Sequence, residues 1–360
     1  MIINGSIRDA FVHLTGLGIA SIVEDVSGDE VRIGWKGQNS LELITSNNLS
    51  DSAIAEMVHE HAKNASEAEW LNNVAEYSVG ESKIAERSPL SPRIGQLDSR
   101  GYSQNTANRE ELIDSVADSI LAQRLIGALG EPAYWAQNRM GLVYPDCGAS
   151  CWEMITRNQG KDFFRCRLAP LASSVASRSV EEVRSGLVGE SVKDEVGKDA
   201  LDSRTATGLR KAGRSDNAQA WCALWGLNLL PTCPVVLPEQ AKYSNVTGAI
   251  RGREACFVFP IIEEQLPLAR WSAFFRNASL YRQAMGELQN SYIPKEISMN
   301  VRPAGQKKAD EIWLQTHGCT GIVLFKRFVK PAKPPAAPEF WAEEGEIELF
   351  GKKTIRAWDV

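Results

Sequence analysis

The stretch from 202 to 230 constrains the fold of this chain most, because it joins a cationic loop directly to a buried helix. Within this cationic loop, residues 204–214, two threonines and two glycines accompany four cations and no carboxylate; the cations are Arg204, Arg210, Lys211 and Arg214. Ser215 or Asp216 then provides a helix N-cap, and apolar residues including two tryptophans follow at helical spacing. We therefore predict a tryptophan-anchored core helix that holds positive charge at a surface. Guanidinium groups and the free amides of a helix start suit phosphate.

Length and charge limit the class of protein. A chain of 360 residues builds one large domain or two ordinary ones, and 43% hydrophobic with 24% charged residues is typical of a globular protein. The formal net charge of −5 argues against a protein that coats nucleic acid unaided, since such proteins are usually basic. A local basic face on an acidic body stays open, as does a subunit whose partners supply most of the positive charge.

The cysteines indicate the cellular compartment. The chain has 7 cysteines, an odd number, and no signal-peptide pattern precedes them. Reduced thiols in a cytoplasmic protein are the simplest interpretation. Because the sequence contains no run of about 18 apolar residues, we expect no membrane-spanning helix and no membrane partner.

Hydrophobic periodicity predicts an α+β fold, in which mixed sheets accompany a long helix and the tryptophan-anchored core helix. A helix within 7–23 contains Gly16 and Gly18, which either permit close packing or interrupt the helix. The other predicted elements are a hairpin of 31–35 with 41–45, a helix from Ser50 or Asp51, the long helix 109–129 closed by Gly130 and Pro132, a helix over 177–187, and strands over 163–168, 255–262 and 320–329.

The same patterns predict one extensive core and four parts of the chain. We expect an N-terminal α+β region at 1–85, a loop or linker at 86–108, a main α+β domain at 109–330, and a proline-rich linker with an aromatic C-terminal arm at 331–360. The second part holds two Ser-Pro steps and several arginines, and long loops in compact domains are rarely idle. The arm is expected to pack onto another surface.

No arrangement of residues favours catalysis. His59 and His61 stand two apart on a predicted helix, so their side chains do not easily chelate one metal. Cys147 and Cys151 resemble half of a zinc site without its second pair; small buried thiols are the favoured interpretation, and metal binding stays open. Neither a Walker ending, nor a dinucleotide fingerprint, nor clustered carboxylates occur. We therefore expect no enzymatic activity and no cofactor.

Arginines beside aromatic and small polar residues favour a binding protein instead. Four such patches occur, at 204–214, 87–100, 251–253 and 270–282, and the first is the strongest because four cations lie in it with no acid to offset them locally. For each patch, the competing explanation is an ordinary protein surface on which the arginines form salt bridges or are solvated. The predicted contacts to nucleic acid are Arg204, Thr205, Thr207, Arg210, Lys211, Arg214, Arg251 and Arg253, with the two threonines as hydroxyl donors.

Three segments carry a resemblance to a known family. HLTGLGIASIVED followed by VRIGW, RTATGLRKAGRSDNAQAWCALWGLNLLP, and GIVLFKRF together resemble accessory and large-subunit proteins of type I CRISPR surveillance complexes. The similarity is closest to the small variants of the subtype formerly called I-U and covers about a third of the chain.

The resemblance implies a non-catalytic subunit of an RNA-guided antiviral complex, with other CRISPR effector subunits, crRNA and target DNA as partners. In such complexes base pairing reads the sequence, and the protein contacts backbone and a short flanking motif. The chain departs from a typical large subunit because it is short and because its C-terminal part predicts strands and an arm instead of a helical bundle.

A protein–protein scaffold without direct nucleic-acid contact is the alternative function. The acidic balance, the proline-rich linker and the aromatic arm are the features that favour it. The two functions differ in whether the cationic loop contacts phosphate.

Overall fold

The computed structural model describes residues 1–79, 84–92, 97–132, 149–150, 163–230, 256–283, 304–330 and 339–351. It confirms the α+β fold class, with 49% helix, 18% strand and three small sheets. The main helices are α1 (Ala10–Ser27), α2 (Asp51–Glu67), α3 (Glu69–Asn72), α4 (Ser99–Ser115), α5 (Ile120–Leu129), α6 (Ala169–Ala176), α7 (Val180–Leu187), α8 (Asn217–Gly226), α9 (Leu268–Phe275) and α10 (Ala304–Thr316). The strands are β1 (Ile2–Asn4), β2 (Val31–Trp35), β3 (Ser40–Thr45), β4 (Ala75–Ser78), β5 (Ile84–Arg87), β6 (Cys256–Ile261), β7 (Leu266–Pro267), β8 (Gly321–Lys330), β9 (Glu339–Ala342) and β10 (Glu346–Leu349).

The first sheet has the strand order β1-β3-β2-β7, and all of its neighbouring strands are antiparallel. β2 and β3 form the predicted hairpin, in which Val31 lies opposite Thr45 and Trp35 lies opposite Leu41. Alternation along β2 buries Val31 and Ile33 while Arg32 is exposed. The buried face packs against α1.

Helices α1 and α8 pack closely and form the centre of the molecule. A Cβ at Gly18 would lie 1.7 Å from the carbonyl oxygen of Cys222, and a Cβ at Gly226 would lie 2.2 Å from that of Leu14. The Thr15 hydroxyl also donates to the carbonyl oxygen of Gln219 at 3.3 Å. Of the two roles that the sequence left open for Gly18, close packing is therefore the correct one.

The second sheet has the order β10-β8-β6, and β9 pairs with the last part of β8, from Arg327 to Lys330. The predicted strands 255–262 and 320–329 correspond to β6 and β8, and β8 is the strand with which the other three pair. The Trp35 amide donates to the carbonyl oxygen of Ile262 at 2.7 Å, which links the first sheet to the chain just after β6.

One hydrophobic core joins the region before residue 85 to the region after 109. It includes Ile3, Leu125, Trp225, Phe259 and Phe350, among many others. Helix α1 is long and apolar enough to cross a membrane by length and composition. Its residues from 10 to 23 are all buried in this core, including polar ones, so α1 serves as the central core helix here.

Two predicted elements are wrong. The residues 164–168, predicted as part of a strand, form a π-helical turn that runs directly into α6. Phe163 and Phe164 are both fully buried, which an alternating strand does not allow. The long helix 109–129 is also divided: α4 begins earlier, within the predicted loop, and ends at Ser115, and the Ser119 side chain then caps α5.

Candidate functional site

The cationic loop, residues 204–214, is packed into the core by its small residues while its cations point outward. Ala206 and Leu209 are buried, and Arg204, Lys211 and Arg214 are exposed. Within residues 203–213, the Gly213 amide donates to the Ser203 carbonyl oxygen at 2.8 Å and closes the base of the loop. The cationic loop, whose sequence shows neither helical nor strand periodicity, thus forms a compact series of turns.

A buried carboxylate, Asp194, holds the loop from below. Its Oδ1 accepts a hydrogen bond from the Thr205 hydroxyl at 2.6 Å, and its Oδ2 accepts one from the Ser215 amide at 3.2 Å. Asp194 has no exposed surface, so these donors replace the water that its charge would otherwise bind. The loop therefore keeps one conformation through contacts that lie outside the loop sequence.

The two predicted threonine donors lie inside the loop and not on its outer surface. Thr205 is 4% exposed, and its hydroxyl is committed to Asp194. Thr207 is 7% exposed and has a φ of 53°, followed by Gly208 with a φ of 82°. A positive φ is rare for a β-branched residue, and strain of this kind concentrates at functional sites. The Gly208 carbonyl oxygen accepts the Ala342 amide of β9 at 2.8 Å.

Three of the four loop cations pair with acids that lie outside the loop sequence. Arg204 pairs with Glu339 at 2.5 Å, Arg210 with Asp9 at 2.5 Å, and Arg214 with Asp199 at 2.6 Å. Each of these six side chains keeps some contact with solvent. The Arg210 guanidinium also lies 5.0 Å from the centre of the Phe11 ring. Lys211 is exposed and has no ion pair within the described part of the chain.

Asp9 links the loop to the start of α1. Its side chain accepts the Phe11 amide at 3.0 Å as the N-cap of α1, and its other oxygen meets Arg210. Burial raises the pKa of the Asp9 carboxyl, although the charge of Arg210 and the Phe11 amide act in the opposite direction. Arg210 is therefore fixed in position by an ion pair, a ring and a helix start.

A pocket of about 680 Å³ lies beside the loop, between the chain before α1 and the β8–β9 strand pair. This volume is in the range of sites for small molecules and nucleotides. We call it the basic pocket, since Arg8, Arg210, Lys211 and Arg214 line it. The Arg8 guanidinium donates to the Gly345 carbonyl oxygen at 2.7 Å, a neutral acceptor, so its charge is not cancelled by that contact.

Carboxylates and aromatic rings complete the basic pocket. Glu343 and Glu344 line it together with Asp9, so the pocket is mixed in charge and not uniformly positive. Phe328 of β8 and Trp341 of β9 lie opposite each other in register, with ring centres 4.5 Å apart and planes inclined by 32°. Phe328 is 38% exposed, which is unusual for a large ring in a folded protein.

Sequence reasoning did not assign one cation and two aromatic rings of the pocket to the site. Arg8, Phe328 and Trp341 come from both ends of the chain, and the structure brings them next to Lys211. The only sequence signal was the alternation in FKRFV, which leaves Phe328 on the opposite face from its neighbour Arg327. The predicted contacts Arg251 and Arg253, and the cysteine pair Cys147 and Cys151, lie outside the described residues.

The histidines that were considered for metal binding have other surroundings. His61 packs between Trp221 and Trp225, at 5.4 and 4.6 Å between ring centres. The His59 Nε2 lies 3.1 Å from the Ala176 carbonyl oxygen. Within the described ranges, no three histidine, cysteine or carboxylate side chains gather as a metal site would require.

Comparisons with known proteins do not add to this geometry. The chain matches no protein-family model, and neither a curated protein nor a solved structure is similar to it.

Proposed function

We propose that this chain is a non-catalytic, nucleic-acid-binding subunit of an RNA-guided antiviral complex. The single observation that carries the proposal is the basic pocket, which is lined both by cations and by a pair of aromatic rings that are partly open to solvent. Positive groups that follow a phosphate backbone next to aromatic stacking surfaces are typical of nucleic-acid binding. The sequence resemblance to CRISPR subunits supplies the kind of complex, with crRNA or target DNA as the bound polymer.

The four loop cations have different roles in this proposal. Lys211 and Arg214 are the phosphate contacts: Lys211 has no ion pair among the described residues, and the Arg214–Asp199 pair is exposed on both sides. An exposed pair contributes little and can be exchanged for a phosphate. Arg210 is held in place by its ion pair with Asp9 and its contact with the Phe11 ring. It therefore contributes positive charge to the pocket from a fixed position.

The acids in and around the pocket limit how tightly the chain binds alone. Asp9, Glu343 and Glu344 line the pocket, and the whole chain carries a net charge of −5. Both features lower the affinity for a polyanion through repulsion between like charges. A subunit that sits beside more basic partners fits this balance better than a protein that binds alone.

The binding test reverses the charge of the two contact residues. We expect Lys211→Glu with Arg214→Glu to weaken binding of a fluorescent 20-nucleotide strand at low salt by at least about 10-fold, measured by anisotropy with the full chain. The slope of log K against log salt should fall by about 1.4, since each lost phosphate contact contributes about 0.7 for a single strand. Lys63→Glu with Lys308→Glu, at exposed lysines on α2 and α10, makes the same change in net charge away from the pocket and is the control.

The outcome separates nucleic-acid binding from a scaffold role. Unchanged affinity and slope in the double variant, with thermal unfolding like that of the wild type, would show that the pocket is not the contact. Membership of an RNA-guided complex has its own test, which is sequencing of small RNA that co-purifies with the tagged chain from its native cell. Absence of repeat-derived RNA from that preparation would contradict membership and leave the binding result standing.

A further inference from the structure

We infer that the basic pocket accepts single-stranded nucleic acid and stacks one unpaired base against the Phe328–Trp341 pair. This inference rests on the proposed function and makes its ligand more specific. It assigns a role to two aromatic residues that the phosphate contacts alone leave unexplained.

The aromatic pair has the geometry of a stacking platform. Phe328 and Trp341 are direct cross-strand partners on β8 and β9, and their rings are inclined by only 32° at 4.5 Å. One face of each ring is covered by the other ring, and both side chains line the pocket. Phe328 is 38% exposed and Trp341 is half-buried, so the pair presents ring surface that the core does not use.

Cations line the same pocket as the platform. Lys211 and Arg214 of the cationic loop and Arg8 line the pocket together with the two rings. A base that lies on a ring has its own phosphates a few ångströms away, so this combination contacts base face and backbone of one nucleotide. Base–aromatic stacking tolerates any sequence because every base has a π-face.

A duplex does not satisfy this arrangement. In a double helix each base face is already covered by its neighbours, and a ring reaches a face only after the base leaves the stack. The phosphate contacts alone, in contrast, are available in single and double strands alike. The platform therefore predicts a preference for single strands that cations could not produce without it.

The platform is held at a fixed position relative to the cations before any ligand binds. The Ala342 amide of β9 donates to the Gly208 carbonyl oxygen at 2.8 Å, and Glu339 at the start of β9 pairs with Arg204. At the other end of the pocket, the amide of Gly345 donates to the Arg8 carbonyl oxygen at 2.9 Å. Contacts that are already formed in the free protein reduce the entropy cost of binding.

The competing explanation is that the two rings only stabilise the strand pair. Cross-strand aromatic pairs do contribute to sheet stability. That role predicts a loss of stability on removal of either ring, with equal effects on binding of single and double strands. The base-stacking role predicts a change in the ratio of the two affinities, which stability alone does not alter.

The experiment measures binding of a 20-nucleotide single strand and of the matching 20-base-pair duplex to full-length variants, by anisotropy at one low salt concentration. We expect Trp341→Ala to weaken single-strand binding by about 10- to 100-fold, the range that loss of one stacked base produces, and to change duplex binding less than about twofold. Trp341→Leu keeps apolar bulk without a π-face and should behave like Trp341→Ala, whereas Trp341→Phe should restore most of the affinity. Leu349→Ala, an exposed side chain on β10 of the same sheet, is the matched control.

The outcomes distinguish this inference from the function on which it rests. If neither oligonucleotide binds to the wild type, the proposed function fails. If both bind equally, Trp341→Leu leaves them unchanged, and reversal of Lys211 and Arg214 weakens both, then the proposed function stands and the stacked base is disproved. A selective loss of single-strand binding in Trp341→Leu, with restoration by Trp341→Phe, establishes the platform.

Discussion

Gly18 and Gly226 determine how closely the two central helices approach. The backbone of α8 occupies the space that a side chain at Gly18 would need, and the backbone of α1 does the same at Gly226. Backbone atoms cannot rotate away as the end of a side chain can. The helices would have to separate, and this would also loosen the Thr15 contact to Gln219.

The substitution Gly18→Ala should therefore destabilise the protein by about 3 kcal/mol or more, at the upper end of the cost of overpacking a core. Gly127→Ala on α5 is the control, because a Cβ there meets nothing within 4 Å. A glycine in an exposed helix position costs about 0.5–1 kcal/mol relative to alanine, so Gly127→Ala should be slightly more stable than the wild type. Urea denaturation of the two variants measures both stability changes. Equal stabilities would contradict the close helix contact.

At the scale of elements, a buried ion pair connects α8 to the segments that precede it. The Arg178 guanidinium donates to Asp216 at 2.9 Å and to Glu195 at 2.6 Å, and Asp216 also caps α8 by accepting the Ala218 amide. Burial opposes the charge of Arg178, but the two carboxylates raise its pKa above the ordinary value. The same Asp216 accepts the Lys193 amide, so it orders both segments that flank the cationic loop.

Loss of this carboxylate leaves the buried Arg178 cation with one acid, Glu195, and the Lys193 carbonyl oxygen. We expect Asp216→Ala to lower the free energy of unfolding by about 3 kcal/mol, as for other broken buried pairs, and Asp216→Asn to recover about 1 kcal/mol because asparagine also caps a helix. Glu181→Ala, which removes the exposed i,i+3 partner of Arg184 on α7, should stay close to the wild type. Denaturation midpoints measure all three. A stability of Asp216→Ala equal to that of Glu181→Ala would show that the buried pair does not stabilise the fold.

The elements also show what the sequence can predict. Helix starts were predictable where a capping side chain precedes an apolar face, as at Ser50 for α2 and Asp216 for α8. The π-helical turn at 164–168 was not, because its two adjacent buried rings obey no simple period. The acid partners of the cationic loop were not predictable either, since Glu339 lies 135 residues from Arg204. Local pattern determines caps and strands, whereas the electrostatics of the loop depend on tertiary contacts.

The position of the C-terminal arm in the fold determines which experiment can test its role. Deletion of residues 340–360 would test a docking role only if the arm were an appendage. In the structure, β9 and β10 pair with β8, and Ala342 and Phe350 are buried in the common core. The deletion would uncover β8 and lower stability, so point substitutions in the pocket separate binding from folding more cleanly.

At the scale of the whole molecule, two histidines lie at contacts between major elements: His13 between the first and second sheets, and His61 between α2 and α8. His13 of α1 lies between Trp35 of the first sheet and Phe259 of the second, at 4.7 and 4.9 Å between ring centres, and its Nε2 bonds the Ile7 carbonyl oxygen. His61 of α2 lies against both tryptophans of α8, and its enclosed Nδ1 has no hydrogen-bond partner among the residues that the structure describes. Burial lowers the pKa of His13 to about 4, although its hydrogen bond to the Ile7 carbonyl oxygen acts to raise it. Burial also lowers the pKa of His61 to about 3.

These low pKa values make the stability of the fold depend on pH in a defined direction. Above the unfolded-state pKa of about 6.5, both histidines are neutral in the folded and in the unfolded chain. Below that pH the unfolded chain binds protons that the folded chain does not, so the free energy of unfolding decreases as the pH falls toward the folded-state pKa values. Between pH 7.5 and 5.5, where most carboxylates stay ionised, each histidine should cost about 1 kcal/mol. Urea denaturation at both pH values should show this loss, and His61→Leu should remove about half of it. Val58→Ala, a buried change on the same helix, should keep the full pH dependence. A wild type equally stable at both pH values would mean that the packing between these elements accommodates a charged imidazole.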